Sequence, residues 1–342
     1  MVDELVSLEK WWIFMQISEI SNRKNGNEIL ILSDSLEVRE TLALRNREAS
    51  LRANLENVEI ETSISNQGSV PYAVINQVTK KMFESGIFPN INGVGLELGC
   101  GSALFSISVI EQDQDSKIDS IIAIEAAKEY VETIINRAVN KYLENNREKI
   151  IPALGTFEQL NLDDSSLDFI LQFEALHHAQ DPQIPPIEAF RILKPGGYFI
   201  SIDRSWPDGT SKNVREELLN HVYETSWLAN KGFPTDKPFS RRDNGEHEYT
   251  DSEWISFFES AGFSLEKLQP ISPIPDFKKI LKRVLCIFKL EPLFGIKIPA
   301  RKGLIRASLL ELLGRKEPTK TSLIITNHPR PLVVFIFRKP LD

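Results

Sequence analysis

A glycine turn flanked by two carboxylates is the part of this sequence whose residue types and spacing could do chemistry. Gly99, Cys100 and Gly101 follow a short apolar run, and Glu97 lies two residues before the first glycine. Glycine has no Cβ, so a ligand can approach the backbone of such a turn closely. A second acid, Glu125, ends the next predicted strand, where a carboxylate can accept hydrogen bonds from both hydroxyls of a ribose. The pattern therefore predicts a pocket for a cofactor that carries a nucleoside.

The glycine spacing distinguishes two classes of such cofactors. Dinucleotide-binding folds use G-x-G-x-x-G after the first strand, whereas Leu104 stands three residues past Gly101 in this chain. An acid two residues before a G-x-G turn suits S-adenosylmethionine, because the glycines admit its methionyl part and Glu97 can engage its amino group directly or through water. A glycine turn alone is also a common connection between strand and helix, so the interpretation depends on Glu125 as well.

The elements that must position these residues alternate between strand and helix from about residue 70, which is typical of an α/β protein with a doubly wound sheet. The predicted strands are 93–98, 120–124, 149–154, 167–173, 198–203, 263–268 and 332–338. Together they predict a Rossmann-like, doubly wound, seven-stranded sheet, with a helical N-terminal extension and an insertion before the last strand.

This pattern divides the chain into four parts. They are a helical N-terminal extension or lid (1–66), a cofactor-binding core (67–268), a basic insertion (269–331) and the final strand of the core sheet (332–342). Residues 276–342 hold 15 Lys and Arg against 5 Asp and Glu, whereas the rest of the chain is acidic. Two interpretations of the insertion stay open: a helix packed on the domain with its lysines in water, or a surface for anionic lipid headgroups or a phosphorylated substrate.

The composition bounds the class of protein. A hydrophobic content of 42% and a charged content of 26% suit an ordinary globular protein, and the net charge of −8 argues against a DNA partner. Two cysteines do not make a disulfide framework, and no Cys/His spacing typical of zinc is present, so no metal is predicted. The sequence shows no basic leader and no long apolar run, which makes a cytoplasmic location the expectation.

Six motifs resemble, in type, order and spacing, those of class I S-adenosylmethionine-dependent methyltransferases, especially the small-molecule branch that includes ubiquinone and menaquinone enzymes. They are L-E-L-G-C-G at 96–101, I-E at 124–125, G-T-F-E-Q-L at 155–160, S-L-D-F-I at 166–170, A-L-H-H at 175–178 and R-I-L-K-P-G-G at 191–197. The resemblance covers about two hundred of the 342 residues. It implies S-adenosyl-L-methionine as the cofactor and a small-molecule acceptor.

The resemblance also implies a set of cofactor-binding residues. They are Glu97, Gly99, Cys100, Gly101, Glu125, Ala126, Thr156, Phe157, Gln172 and Phe173. Thr156 departs from the family's pattern, which usually has an Asp there that accepts from the adenine amino group; a threonine hydroxyl can still accept a hydrogen bond. Gln172 and Phe173 end the fourth strand, where the family's loop lines the cofactor near its reacting methyl group.

Three histidines are the candidates for acid–base chemistry. Methyl transfer needs a base only when the acceptor must lose a proton, and histidine titrates near neutral pH. His177 and His178 follow the fourth strand, and His247 precedes the predicted helix at 254–261. Asp203 and Arg204, at the end of the fifth strand, are the predicted substrate-binding residues. Structural alternatives stay open: the two adjacent histidines can serve to hold their loop, and Asp203 and Arg204 can belong to a surface loop.

Two other functions stay open from the sequence. The fold could bind S-adenosylmethionine, or nothing, and act through its helical extensions as a scaffold. Protein or RNA methylation is disfavoured by the net charge and by the absence of an Asn/Asp-Pro-Pro-Tyr motif after the fourth strand. The acceptor, the attacked atom (oxygen, carbon or nitrogen) and the oligomeric state are not encoded in a pattern that we can interpret.

Overall fold

The strands of the computed structural model belong to one large sheet and one small hairpin. The structure describes residues 30–33, 66–67, 70–143, 145–231, 235–271 and 332–341. The strands are β1 (Leu30–Ile31), β2 (Asn66–Gln67), β3 (Val70–Pro71), β4 (Gly93–Leu98), β5 (Ile118–Glu125), β6 (Ile150–Leu154), β7 (Leu167–Phe173), β8 (Leu193–Arg204), β9 (Ser264–Ile271) and β10 (Leu332–Arg338). Strands β2 and β3 form the hairpin, and the other eight form the sheet.

The helices connect the strands of the large sheet. They are α1 (Tyr72–Glu84), α2 (Leu104–Gln112), α3 (Ile135–Tyr142, preceded by a π-helical turn at Tyr130–Ile134), α4 (Ile184–Ile192), α5 (Lys212–Leu219), α6 (Thr225–Lys231) and α7 (Asp251–Ser260). A 3₁₀ turn at Leu176–His178 follows β7. None of the helices in the described part of the chain has both the length and the apolar content needed to cross a membrane.

The predicted doubly wound α/β fold is confirmed, but the predicted number of strands was wrong by one. The described residues give a mixed sheet of eight strands in the order β1-β6-β5-β4-β7-β8-β10-β9. All seven predicted strands are present, and β1 is the eighth, paired in parallel with β6. The sequence did not indicate β1, because two residues are too short to show a periodic pattern. The rest of the predicted helical extension, and the basic insertion beyond Ile271, lie outside the described residues.

Both faces of the sheet are buried, which explains why its central strands are almost continuously apolar. Along β5, Ile121 and Ala123 belong to one apolar cluster, whereas Ile122 and Ile124 belong to the other. Helices α1, α2 and α3 contribute to the first cluster, and α4 and α7 contribute to the second. The sheet is therefore rigidly held between two helical layers, and its strand ends have fixed positions.

The strand order creates a crevice at the carboxyl edge of the sheet. Strand β4 lies between β5 and β7, so the chain crosses to one side of β4 first and later to the other. Strands β5, β4, β7 and β8 are parallel, and their carboxyl ends meet at the same edge. Ligands of open α/β sheets bind where the winding direction reverses in this way. The predicted site residues that end these strands are therefore neighbours.

Candidate functional site

The glycine turn between β4 and α2 has the tight geometry that the sequence predicts. Gly99 and Gly101 have φ angles of +61° and +52°, in the left-handed region that favours glycine. A Cβ atom on Gly99 would lie 2.7 Å from the Cβ atom of Ala175, in the loop after β7. Cys100 is fully buried, and its backbone N–H donates to the carbonyl of Ile124 at 2.8 Å. The turn is thus fixed between β5 and the loop that follows β7.

Glu125 anchors this turn from the end of β5. Its Oε2 atom accepts a hydrogen bond from the backbone N–H of Gly101 at 2.9 Å, and its Oε1 atom accepts from the backbone N–H of Ala126 at 3.0 Å. The residue is 3% exposed. Its Oε1 atom also accepts from the backbone N–H of Ala127 at 3.4 Å. The ribose contact itself stays a prediction.

Glu97 is completely buried and stabilises the start of the helix after the turn. Its Oε2 atom accepts from the backbone N–H of Ser106 at 3.1 Å and from the Ser106 hydroxyl. Ser106 lies in the first turn of α2, where backbone N–H groups lack partners within the helix. The carboxylate therefore has a structural role, and the predicted contact with an amino group stays a prediction.

The loop after β6 forms the next wall of the crevice. The backbone N–H of Gly155 donates to the carbonyl of Glu125 at 3.1 Å, which joins this loop to β5. The ring of Phe157 lies 3.6 Å from the position that a Cβ atom on Gly99 would occupy. Thr156 and Phe157 are half-buried. The structure thus brings the glycine turn, Glu125 and an aromatic ring together, as an adenosine pocket requires.

The side chains of Gln172 and Phe173 are both buried at the end of β7. The ring of Phe173 packs in the core with its centroid 5.6 Å from that of Phe105. The side chain of Gln172 is fully buried and donates to the Ser201 hydroxyl at 2.7 Å and to Oδ2 of Asp203 at 3.2 Å. These side chains therefore connect β7 to its neighbours. Their predicted contact with a cofactor stays a prediction.

His177 and Asp203 form a buried pair at the ends of β7 and β8. Nδ1 of His177 lies 2.8 Å from Oδ1 of Asp203, which also accepts from the backbone N–H of Arg204 at 2.7 Å. Asp203 is completely buried. A role in orienting His177 therefore suits it better than the predicted contact with an acceptor. A carboxylate bonded to one ring nitrogen fixes the orientation and the tautomer of an imidazole.

The other predicted site residues surround this pair. His178 is exposed, and its ring centroid lies 4.4 Å from that of His177. The backbone N–H of His247 donates to the carbonyl of His177 at 2.9 Å. Arg204 forms an ion pair with Glu174, with Nε 2.5 Å from Oε1. The structure therefore gathers all three histidines at the crevice.

A buried charge cluster adjacent to the histidines was missed by the sequence analysis. Glu246 and Glu248 both form ion pairs with the guanidinium group of Arg241, and Glu248 also accepts from the indole N–H of Trp206 at 2.6 Å. The hydroxyl of Tyr223 donates to Glu246 at 3.0 Å. The carboxylates on either side of His247 were the sequence feature that could have indicated this cluster, whereas nothing in the sequence indicated Arg241.

The charges in this cluster lower the pKa of the Glu246 carboxyl. Burial alone would raise the pKa of its carboxyl, but Arg241, His178 and His177 outweigh burial and lower that pKa from 4.5 to about 2. Because the folded-state pKa lies below the ordinary one, the stabilising effect is present above about pH 4.5 and is lost as the pH falls towards 2.

Glu246→Gln is therefore expected to lower the free energy of unfolding at pH 7 by on the order of 2 kcal/mol, because it leaves Arg241 with a weaker buried partner. Urea denaturation between pH 7 and pH 2.5 measures this, and the difference from wild type should shrink below about pH 4.5. Glu216→Gln is the matched control, because Glu216 pairs with Arg242 at the exposed surface and should cost less than about 1 kcal/mol. A difference that does not depend on pH would contradict the assignment.

Comparison with known proteins agrees with this geometry. Residues 96–201 match the family model described as a methyltransferase domain. An uncharacterized methyltransferase of Bacillus subtilis, YcgJ, is 31% identical over 127 residues, which are 37% of this chain and 46% of the relative. The sterol 24-C-methyltransferase erg6 of Aspergillus fumigatus is 31% identical over 130 residues, or 36% and 28% of the two chains. The dimethylglycine N-methyltransferase of Parasynechococcus marenigrum is 32% identical over 69 residues, or 20% and 25%.

The chain spans less than half the length of each of these relatives. Among solved structures, the [4+2]-cyclase SpnF is 14% identical with a TM-score of 0.49, covering 92% of this chain and 98% of its own. The structure of YcgJ from Bacillus subtilis is 18% identical with a TM-score of 0.46, covering 79% and 99%. TM-scores below 0.5 carry no information about function. The family match over residues 96–201 supports the resemblance to methyltransferases, whereas the bounds 67–268 and the ubiquinone- and menaquinone-like branch stay predictions.

Proposed function

We propose that this chain, with its methyltransferase domain at residues 96–201, is a class I S-adenosylmethionine-dependent methyltransferase that acts on an oxygen, carbon or nitrogen atom of a small molecule. The observation that carries the proposal is the turn at Gly99 and Gly101, where positive φ angles coincide with two buried carboxylates, Glu97 and Glu125. Two of the relatives are named for a sterol and for dimethylglycine. Both are small molecules, which supports the proposed class of acceptor.

The residues of the crevice fit the proposed cofactor. A Cβ atom on Gly99 would clash with Ala175, so the turn needs glycine there, and the ring of Phe157 lies beside it. Ser102 follows the turn, and its buried hydroxyl has no hydrogen-bond partner in the part of the chain that the structure describes. In this proposal Glu125 would accept from the ribose hydroxyls and Thr156 from the adenine amino group. When bound, S-adenosylmethionine would supply a methyl group already activated on a sulfonium.

His177 is the residue that we propose as the base. Asp203 holds its Nδ1 atom, so Nε2 is the ring nitrogen at which a proton of the acceptor would be taken up. Asp203 then serves as a positioning residue, and Gln172 in turn holds Asp203. His178 and His247 remain alternative candidates because both lie against His177.

Titration calorimetry of the full chain with S-adenosylhomocysteine tests the cofactor assignment. We expect a single site, and the absence of binding would remove the proposed function. Incubation with methyl-labelled S-adenosylmethionine and a cell extract, which is afterwards separated into metabolite, protein and RNA fractions, then tests the reaction, with the labelled products identified by mass spectrometry. Binding without transfer to any metabolite, protein or RNA would favour the scaffold alternative, and label in protein or RNA would contradict the small-molecule acceptor.

A further inference from the structure

We propose that β1 and the two residues after it, Leu32 and Ser33, are a working part of the cofactor site. They hold the loop at 155–161, which forms the adenosine wall of the crevice. This inference rests on the proposed function, because it concerns the affinity of the site for an adenosyl ligand. It assigns a positioning role to a segment that lies about sixty residues before the cofactor motif in the sequence.

Three hydrogen bonds join this segment to the loop and to the strand before it. The backbone N–H of Leu32 donates to the carbonyl of Leu154 at 2.8 Å, at the end of β6. The hydroxyl of Ser33 donates to the carbonyl of Gln159 at 2.8 Å. The backbone N–H of Asn161 donates to the carbonyl of Leu32 at 2.7 Å. The segment thus binds just before the loop, within it and at its last residue.

Packing accompanies these bonds. Leu32 is completely buried and Ser33 is 3% exposed. Their Cβ atoms lie 3.6 Å and 3.5 Å from the position that a Cβ atom on Gly155 would occupy. Leu30 is buried and Ile31 is half exposed, which is the alternation of a strand with one covered face. The segment therefore supports the loop from outside the crevice.

The loop transmits this support to the cofactor site. The N–H of Gly155 donates to the carbonyl of Glu125, and the ring of Phe157 lies beside Gly99. Helix α4 holds the loop at Leu160, where the backbone N–H donates to Glu188 and the carbonyl accepts from Arg191. Of the elements described here, β1 and the residues after it are the ones that hold the carbonyl of Gln159, two residues from Phe157.

A structural role alone is the competing explanation, since an added edge strand also protects a sheet. The two explanations differ in what they affect. An edge strand that only protects the sheet would change the melting temperature and leave ligand affinity unchanged. A segment that positions the loop would change the affinity and the mobility of residues 155–161, even when the overall stability hardly moves.

Ser33→Ala in the full chain is the decisive variant, because it removes one hydroxyl and keeps the backbone bonds of Leu32. We expect the dissociation constant of S-adenosylhomocysteine to rise about fivefold, the equivalent of one lost hydrogen bond. Hydrogen–deuterium exchange of residues 155–161 should become faster in the same variant. Ser85→Ala is the matched control, because the Ser85 hydroxyl also donates to a backbone carbonyl, at the end of α1. It should change neither quantity.

A second variant, Leu32→Pro, removes the N–H that bonds to Leu154 and should raise the dissociation constant about tenfold, since a ladder bond is lost and the strand is distorted. If this variant does not fold, Ser33→Ala decides. Unchanged affinity and unchanged exchange in Ser33→Ala would overturn the inference, as would a lower melting temperature with normal affinity. A wild-type chain that does not bind S-adenosylhomocysteine would instead overturn the proposed function, so the two failures are distinguishable.

Discussion

Glu125→Ala is expected to weaken the binding of S-adenosylhomocysteine by about a hundredfold or more. The carboxylate accepts from the backbone N–H groups of Gly101 and Ala126, and charge-assisted bonds of this kind contribute roughly 1.5–3 kcal/mol each. Its loss would release the glycine turn and remove the proposed acceptor for the ribose hydroxyls. Calorimetry at pH 7 measures the dissociation constant, and circular dichroism verifies that the variant is folded.

Asp119→Ala is the control for this experiment. Asp119 also lies on β5, but it is exposed and near the other end of the strand. It should therefore bind S-adenosylhomocysteine as the wild type does. Equal affinities for the Glu125→Ala and wild-type chains would contradict the ribose assignment and would leave Glu125 with only a structural role in the turn.

The geometry of the glycine turn could be predicted because it is local. The turn at Gly99 follows directly from a buried strand, and parallel strands present their carboxyl ends at one edge of a sheet. Two strand-end carboxylates, Glu97 and Glu125, must then lie near the turn whatever the rest of the chain does. The structure agrees with this, since Glu125 bonds to Gly101 directly.

The direction in which each side chain points could not be predicted in the same way. Strand β7 is buried on both faces, so its sequence lacks the alternation that would show which face a residue occupies. The sequence therefore did not show that the ring of Phe173 packs against Phe105 in the core. The partner of Asp203 was likewise hidden, because His177 lies 26 residues earlier and reaches it only through the pairing of β7 with β8.

The sequence analysis also missed a very short strand and contacts that form only in the folded chain. Strand β1 has two residues, too few for a period, and its partner β6 begins more than a hundred residues later. Arg241 was hidden because its partners, Glu246 and Glu248, are nearby in the sequence but come together with it only in a folded, buried loop. Local motifs thus predicted the glycine turn and its carboxylates, whereas the surroundings of the histidines depend on tertiary packing that no pattern in one sequence reports.

His177→Ala is expected to lower the rate of methyl transfer about a hundredfold or more, with the affinity for S-adenosylhomocysteine within about threefold of wild type, because a positioned acid–base group typically contributes a factor of 10² to 10⁴. Asp203→Asn should lower the rate at least about tenfold, since an amide no longer requires the tautomer with the proton on Nδ1. The measurement is the initial rate of S-adenosylhomocysteine formation with the acceptor fraction identified from the extract.

The acid–base role predicts that these two variants lower kcat and leave KM nearly unchanged, because His177 would act on the proton in the transition state and Asp203 would act only through His177. His221→Ala is the control, since His221 is an exposed histidine that lies, like His247, between β8 and β9. It should keep the wild-type rate. Equal rates for His177→Ala and His221→Ala would show that the acceptor needs no base from this residue, and the proposed chemistry would then reduce to the alignment of the acceptor with the methyl group.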